Sequence, residues 1–166
     1  MKCGFFILIK TYRTYGNDYY DFDILYMVIY FNKEDVLKKY ALPRYKDIND
    51  RIYSDEYGLT LLVYTCKLSH VKLAHILLEY GINVNGCQSP YDTCKVYPIM
   101  KAITNHNIEL VQLLLEYHAD LDIKDSDGST PLALSKETGA KEIENLLLQW
   151  MKQKIMLTTQ DNGQAV

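Results

Sequence analysis

Apolar residues along this chain fall in short blocks at helical spacing, each closed by a turn residue. Near the C-terminal end, Ile143 and the triplet Leu146, Leu147 and Leu148 form a stripe of the kind that seats an amphipathic helix on a neighbour. Ahead of it, Asp127-Gly128 supplies a tight turn and Thr130 stands ready to cap a helix beginning at Pro131, where a missing amide hydrogen costs nothing. Gly139 closes that helix before the next starts at Lys141. The pattern predicts a turn, a short helix, a second turn and a longer helix.

The same pattern is written more than once. Ile76-Leu77-Leu78-Glu79-Tyr80-Gly81 returns as Leu113-Leu114-Leu115-Glu116-Tyr117-His118, and Asn83-Val84-Asn85 as Asp120-Leu121-Asp122. Leu132 lies 33 residues after Ile99, Ile99 lies 37 after Leu62, and Leu62 lies 37 after Leu25. A unit recurring at that period cannot bury its own apolar face and must stack on its neighbours. The expected fold is therefore all-α, a solenoid of about four stacked helix-turn-helix units with hairpin loops. The two longer spacings imply about four extra loop residues each, within 51–57 and 89–96, and insertions in solenoids collect on one face.

Gly128, Thr130, Pro131 and Leu132, then a helix, Gly139 and a helix ending in the leucine triplet, resemble an ankyrin repeat, and the resemblance covers roughly residues 20 to 150. The copy at 97–122 keeps Pro98, Ala102, Glu109, Val111, Leu113 to Leu115 and Ala119-Asp120, with His106 and His118 where the family prefers glycine. The copy at 57–85 keeps Gly58, Thr60, Leu62, His70, Leu77, Leu78 and Gly81. The copy at 25–49 is degenerate, with Lys39 near a position that normally points into the core, and reads as an atypical terminal unit. Ala133, Met100, Val63 and Tyr26 stand where the family usually places a histidine, a departure that lowers expected stability. The expected organisation is an N-terminal cap or extension at 1–20, a repeat domain at 21–150 and a partly disordered tail at 151–166. Within that tail the apolar Ile155, Met156 and Leu157 are expected to extend or cover the last helix.

The resemblance implies a non-enzymatic module that binds a partner protein through a concave face of hairpin tips and first helices. The candidate contacts carried over are Tyr57, Tyr64, Lys67, Tyr91, Asp92, Lys101, Asn105, Lys124 and Asp125. The tyrosine-rich, insertion-bearing style is similar to the ankyrin proteins of poxviruses and other large DNA viruses, which implies a modulator of host signalling or innate immunity, of NF-κB or host-range type. Two alternatives stay open: an endogenous ankyrin inhibitor or assembly chaperone of a cellular enzyme, and a secreted bacterial ankyrin effector.

Composition changes this picture little. Net charge is −3, from 18 basic and 21 acidic residues, so no global field draws in nucleic acid or an anionic membrane. No run approaches the ~18 apolar residues of a membrane helix. The apolar stretch from Cys3 to Ile9 is short and lacks a small-residue cleavage site, so a cytoplasmic monomer is expected, in host cytosol or nucleus if viral. The 15 tyrosines, crowded at Tyr12, Tyr15, Tyr19, Tyr20, Tyr26 and Tyr30, read as core filling, with an exposed binding patch as the sharper alternative.

The four cysteines, Cys3, Cys66, Cys87 and Cys94, follow no disulfide framework and are expected to be free thiols. Cys87 and Cys94 are spaced too widely for a zinc clip, and His70 and His75 lie five apart rather than at a chelating spacing. Asp125, Asp127 and Gly128 read as a hairpin rather than a calcium loop, since the chain runs straight into a helix start. Neither a phosphate loop nor a nucleophile with a base partner is present, so no enzyme activity, cofactor or metal is expected.

Overall fold

A computed structural model describes residues 21–44, 59–86 and 95–162. The chain folds into helical pairs: α1 (Asp21–Tyr30) with α2 (Glu34–Val36), α3 (Leu61–Lys67) with α4 (Val71–Glu79), α5 (Pro98–Thr104) with α6 (Ile108–Glu116), and α7 (Pro131–Glu137) with α8 (Lys141–Asn162). Local chemistry sets the starts. Thr60 and Thr130 accept a hydrogen bond from the amides of Val63 and Ala133, both at 3.3 Å, and Asn107 accepts from Leu110 at 3.0 Å. Pro98 and Pro131 occupy first helical positions, where no amide hydrogen is needed.

The ends repeat in register. Each first helix closes on a left-handed residue, Asn32, Ser69, His106 or Gly139, with φ of 50°, 58°, 53° and 69°. These positions are spaced like the apolar ones, 37, 37 and 33 residues apart. In each case the left-handed residue and its successor donate amides back into the helix, as His106 does to Ile103 at 2.9 Å and Asn107 to Ala102 at 3.0 Å. This is the Schellman pattern, which satisfies carbonyls the helix leaves open. Gly81 and His118 close α4 and α6 likewise, with φ of 90° and 63°. The two histidines that replace the family's glycines therefore carry the left-handed conformation that the glycines would hold without strain.

First helices lie beside first helices, α1 on α3 on α5 on α7, and second helices beside second helices, which makes two layers. The core lies between them. Leu25, Leu62 and Ile99 are buried in the first layer, with Leu132 half-buried at the end of the row. Leu73, Leu110 and Ile143 form one buried row of the second layer, and Leu77, Leu114 and Leu147 another. Two buried hydroxyls are satisfied within their own helices: Thr65 donates to Leu61 at 2.7 Å and Ser135 to Leu132 at 2.8 Å. Cys66 is a free thiol in this core, and burial pushes its ionisation up, which makes it a slow nucleophile.

The first unit departs from the pattern. After Glu34–Val36 the chain widens into a π turn, Leu37–Ala41, and tightens into a 3₁₀ turn, Leu42–Arg44. The widened turn buries Leu37, Ala41 and Leu42 and leaves Lys39 exposed, so the lysine does not occupy a core position. At the other end α8 is helical well past residue 150, through to Asn162. Ile155 and Met156 on this extension are 62% and 66% exposed. No helix among the described residues is long and apolar enough to cross a membrane.

Candidate protein-interaction surface

The outer face of the first-helix layer is built by the same repeat register as the core. Each first helix turns one row of residues inward and leaves the next rows toward solvent. Met27, Tyr64, Lys101 and Leu134 form one outer row, and Tyr30, Lys67, Thr104 and Glu137 a second, both at the spacing of the buried leucines. The second row is exposed throughout, with Tyr30 at 57%. Residues from the first helices of four consecutive units thus share one surface although they are far apart in sequence.

Polar ties fix the spacing of that surface. The Asn105 amide donates to the carbonyls of Cys66 and Lys67, both at 3.0 Å, and joins the end of α5 to the end of α3. The Tyr26 hydroxyl donates to the Leu59 carbonyl at 2.8 Å, and the Tyr26 ring meets Tyr64 at 4.9 Å between centroids. On the opposite layer the Tyr80 hydroxyl donates to the Leu42 carbonyl at 2.9 Å. Tyrosines in this chain are staples between units as well as surface groups.

The sequence-derived candidates separate by location. Tyr64, Lys67 and Lys101 lie on the outer rows, Tyr64 and Lys101 half-buried and Lys67 exposed. Asn105 sits beside them, its side-chain amide engaged with the neighbouring unit. Lys124 and Asp125 belong to the last hairpin. There the Asp125 carboxylate accepts from the amides of Asp127 at 3.0 Å and Ser129 at 2.8 Å, and holds the turn closed around Gly128. Tyr57, Tyr91 and Asp92 lie outside the described residues, as do Cys3, Cys87 and Cys94. Met27 and Tyr30 are hard to pick out from sequence because the first unit is degenerate; counting back 37 residues from Tyr64 and Lys67 locates them.

Turn chemistry also repeats. Asn83 and Asp120 each accept the amide two residues on, from Asn85 and Asp122, both at 2.9 Å. Asn85 then accepts from the Asp120 amide at 2.9 Å, which links one exit turn to the next. Residues 77–135 match the family described as Ankyrin repeats (many copies). The chain carries ankyrin repeats.

Among its relatives, the human BCL-6 corepressor-like protein 1 is 34% identical over 96 residues, which is 58% of this chain and 5% of that protein. Ankyrin repeat protein YahD of Escherichia coli strain K12 is 31% identical over 129 residues, covering 74% of this chain and 61% of that one. Ankyrin repeat protein FPV222 of fowlpox virus is 35% identical over 60 residues, 36% of this chain and 8% of that one. The ankyrin stack here thus spans from a small fraction to somewhat over half of these relatives' lengths. Ankyrin repeats are protein-interaction modules, and this chain has the corresponding architecture.

One titratable group links two units. His70 caps the start of α4, and its ring is held below the usual histidine range, first by partial burial, with a hydrogen bond to the Tyr30 backbone opposing that shift. The fold therefore favours the neutral ring. An unfolded histidine titrates near pH ~6.5, so below that value the unfolded chain binds the extra proton more readily than the fold does. This contribution is complete above about pH 6.5 and fades as pH falls toward the depressed folded value. Thermal unfolding at neutral and mildly acidic pH should show a steeper acid loss in the wild type than in His70→Asn. Equal slopes would show that His70 does not contribute to the acid loss.

Proposed function

We propose that this chain binds a partner protein across the outer face of its first-helix layer, and does so as a cytoplasmic modulator of host signalling in cells infected by a large DNA virus. The observation that carries the binding face is the pair of outer rows, in which the first helices of four successive units present side chains at one register while the residues beside them are buried. The fowlpox relative and the tyrosine-rich, insertion-bearing style support the viral setting. Binding itself performs the function: a captured signalling protein is occluded or held away from its own partners. The groups on this face suit contact rather than chemistry, with tyrosine and lysine supplying rigid area and charge.

A substitution that blocks the face without touching the core tests this reading. Thr104 is exposed in the middle of the second row, and Thr104→Trp adds bulk there without charge. Affinity capture from vertebrate-cell cytosol should retain a specific partner on the wild type and lose it on Thr104→Trp, with both chains equally stable. The same proteins on both chains would place binding elsewhere.

A further inference from the structure

On the reading that the first-helix layer is the partner face, we infer that the segment it takes combines a large apolar side chain with an acidic one, and that the two lie in a fixed order along the stack. The outer rows are not uniform. At α1 they present Met27 and Tyr30, 39% and 57% exposed. At α3 and α5 they present Tyr64, Lys67, Lys101 and Thr104, and at α7 the half-buried Leu134 and the exposed Glu137, which accepts a hydrogen bond from the Ser129 hydroxyl at 3.3 Å. In charge, the order along the stack is neutral at α1, cationic at α3 and α5, and anionic at α7, and the most exposed apolar groups of the two rows stand at α1.

The lysines are the informative part. On the second-helix layer, by contrast, Lys38 and Lys72 sit against Glu79 and Glu34 at 3.8 Å and 4.0 Å. Neither Lys67 nor Lys101 has a carboxylate within 4.0 Å among the described residues. Among the described residues their cationic ends are thus left for a partner's acid, and the Asn105 bonds that join α3 to α5 hold their helices in register. A carboxylate placed over them gains attraction, whereas one placed over α7 meets Glu137. That asymmetry fixes polarity as well as composition. Met27 and Tyr30 then receive the apolar side chain, as aromatic and methionine groups do at interface centres.

Geometry sets the spacing. Packed helices lie about 8–10 Å apart, and an extended chain advances about 3.3 Å per residue. One unit of the stack thus corresponds to roughly three residues of an extended partner. The acidic residue is expected about three residues from the apolar anchor if it faces Lys67, and about six if it faces Lys101.

Selection of a phage-displayed library of random short peptides on the full chain tests this. Enriched peptides should carry Asp or Glu at such a spacing from a large apolar residue. Binding of a synthetic copy should fall about tenfold or more on the chain carrying Lys67→Glu and Lys101→Glu, and return when the peptide's acid is changed to lysine. Thr104→Trp, which adds bulk without charge, separates the location of the face from its charge preference. Peptides lost on Thr104→Trp but indifferent to the charge reversal would overturn the acidic-partner inference and leave the binding face in place. Peptides indifferent to both variants would overturn both. Failure of any peptide to enrich over an unrelated control would also count against the inference.

Discussion

Leu114→Ala is expected to lower stability by about 2–5 kcal/mol, the usual cost of emptying a fully buried leucine site. Leu114 is fully buried on α6, in the row that runs from Leu77 to Leu147, with first-layer helices on its other side. The effect is large for two reasons. A native domain has only about 5–15 kcal/mol in total, so this one change removes a substantial share. In a stack, moreover, an interior unit couples the units before it to those after it, so the damage spreads through both interfaces. Gln112→Ala on the same helix is the control: Gln112 is exposed, and surface changes of this kind usually stay within about 0.5 kcal/mol. Urea unfolding of the two variants should show a clearly lower midpoint for Leu114→Ala. A midpoint no lower than that of Gln112→Ala would mean that α6 is not interior to the stack.

Replacing both His106 and His118 by glycine should stabilise the chain, by about 1–2 kcal/mol in total. Two effects compete at each site. A side-chain-bearing residue held left-handed costs about 1–2 kcal/mol, which glycine relieves. Glycine in turn makes the unfolded chain more flexible, at about 0.5–1 kcal/mol. The strain relief is larger, so the sign is stabilising, and both residues are exposed, so little packing is lost. The comparison within the chain supports this: Gly139 and Gly81 occupy the equivalent positions of the neighbouring units. Calorimetry should place the double variant above wild type, and a lower melting temperature would show that the histidine side chains hold contacts worth more than the strain. The reciprocal change, Gly139→Ala, should destabilise for the same reason.

These two expectations show where the sequence was most readable. The leucine register, the Thr130 cap and the Gly139 helix end follow from local chemistry and spacing, whereas the left-handed Asn32 and Ser69 carry no such mark. His106 and His118 can be picked out because they stand where the ankyrin pattern prefers glycine, and Gly139 and Gly81 hold the matching positions here. The first unit was harder to read: nothing in Leu37 to Ala41 announces a π turn, and the widening is what carries Lys39 away from the core. The apolar patch at Ile155 to Leu157 allows the continuation of α8, whereas the polar segment after it has no periodicity to mark where the helix ends.

The surface was readable in part. Tyr64, Lys67 and Lys101 could be nominated from one unit at a time, since each stands at an exposed-looking position of a short helix. Asn105 has a second role that only the assembled stack displays, because the carbonyls it binds lie 39 and 38 residues earlier. The same is true of Tyr26 and Tyr80, whose hydroxyls reach carbonyls 33 and 38 residues away. Long-range hydrogen bonds leave no local mark in a sequence; they become visible when the units are set in register.

The central claim is that partner binding uses the first-helix layer, and site-specific photo-crosslinking tests it most directly. A benzophenone side chain placed at Thr104, on the first layer, or at Gln112, on the second, reports which face a bound protein touches. Both positions are exposed. After irradiation of the full chain in vertebrate-cell cytosol, a discrete protein adduct from Thr104 and none from Gln112 is the predicted result. An adduct from Gln112 alone, or the same adducts from both positions, would contradict it.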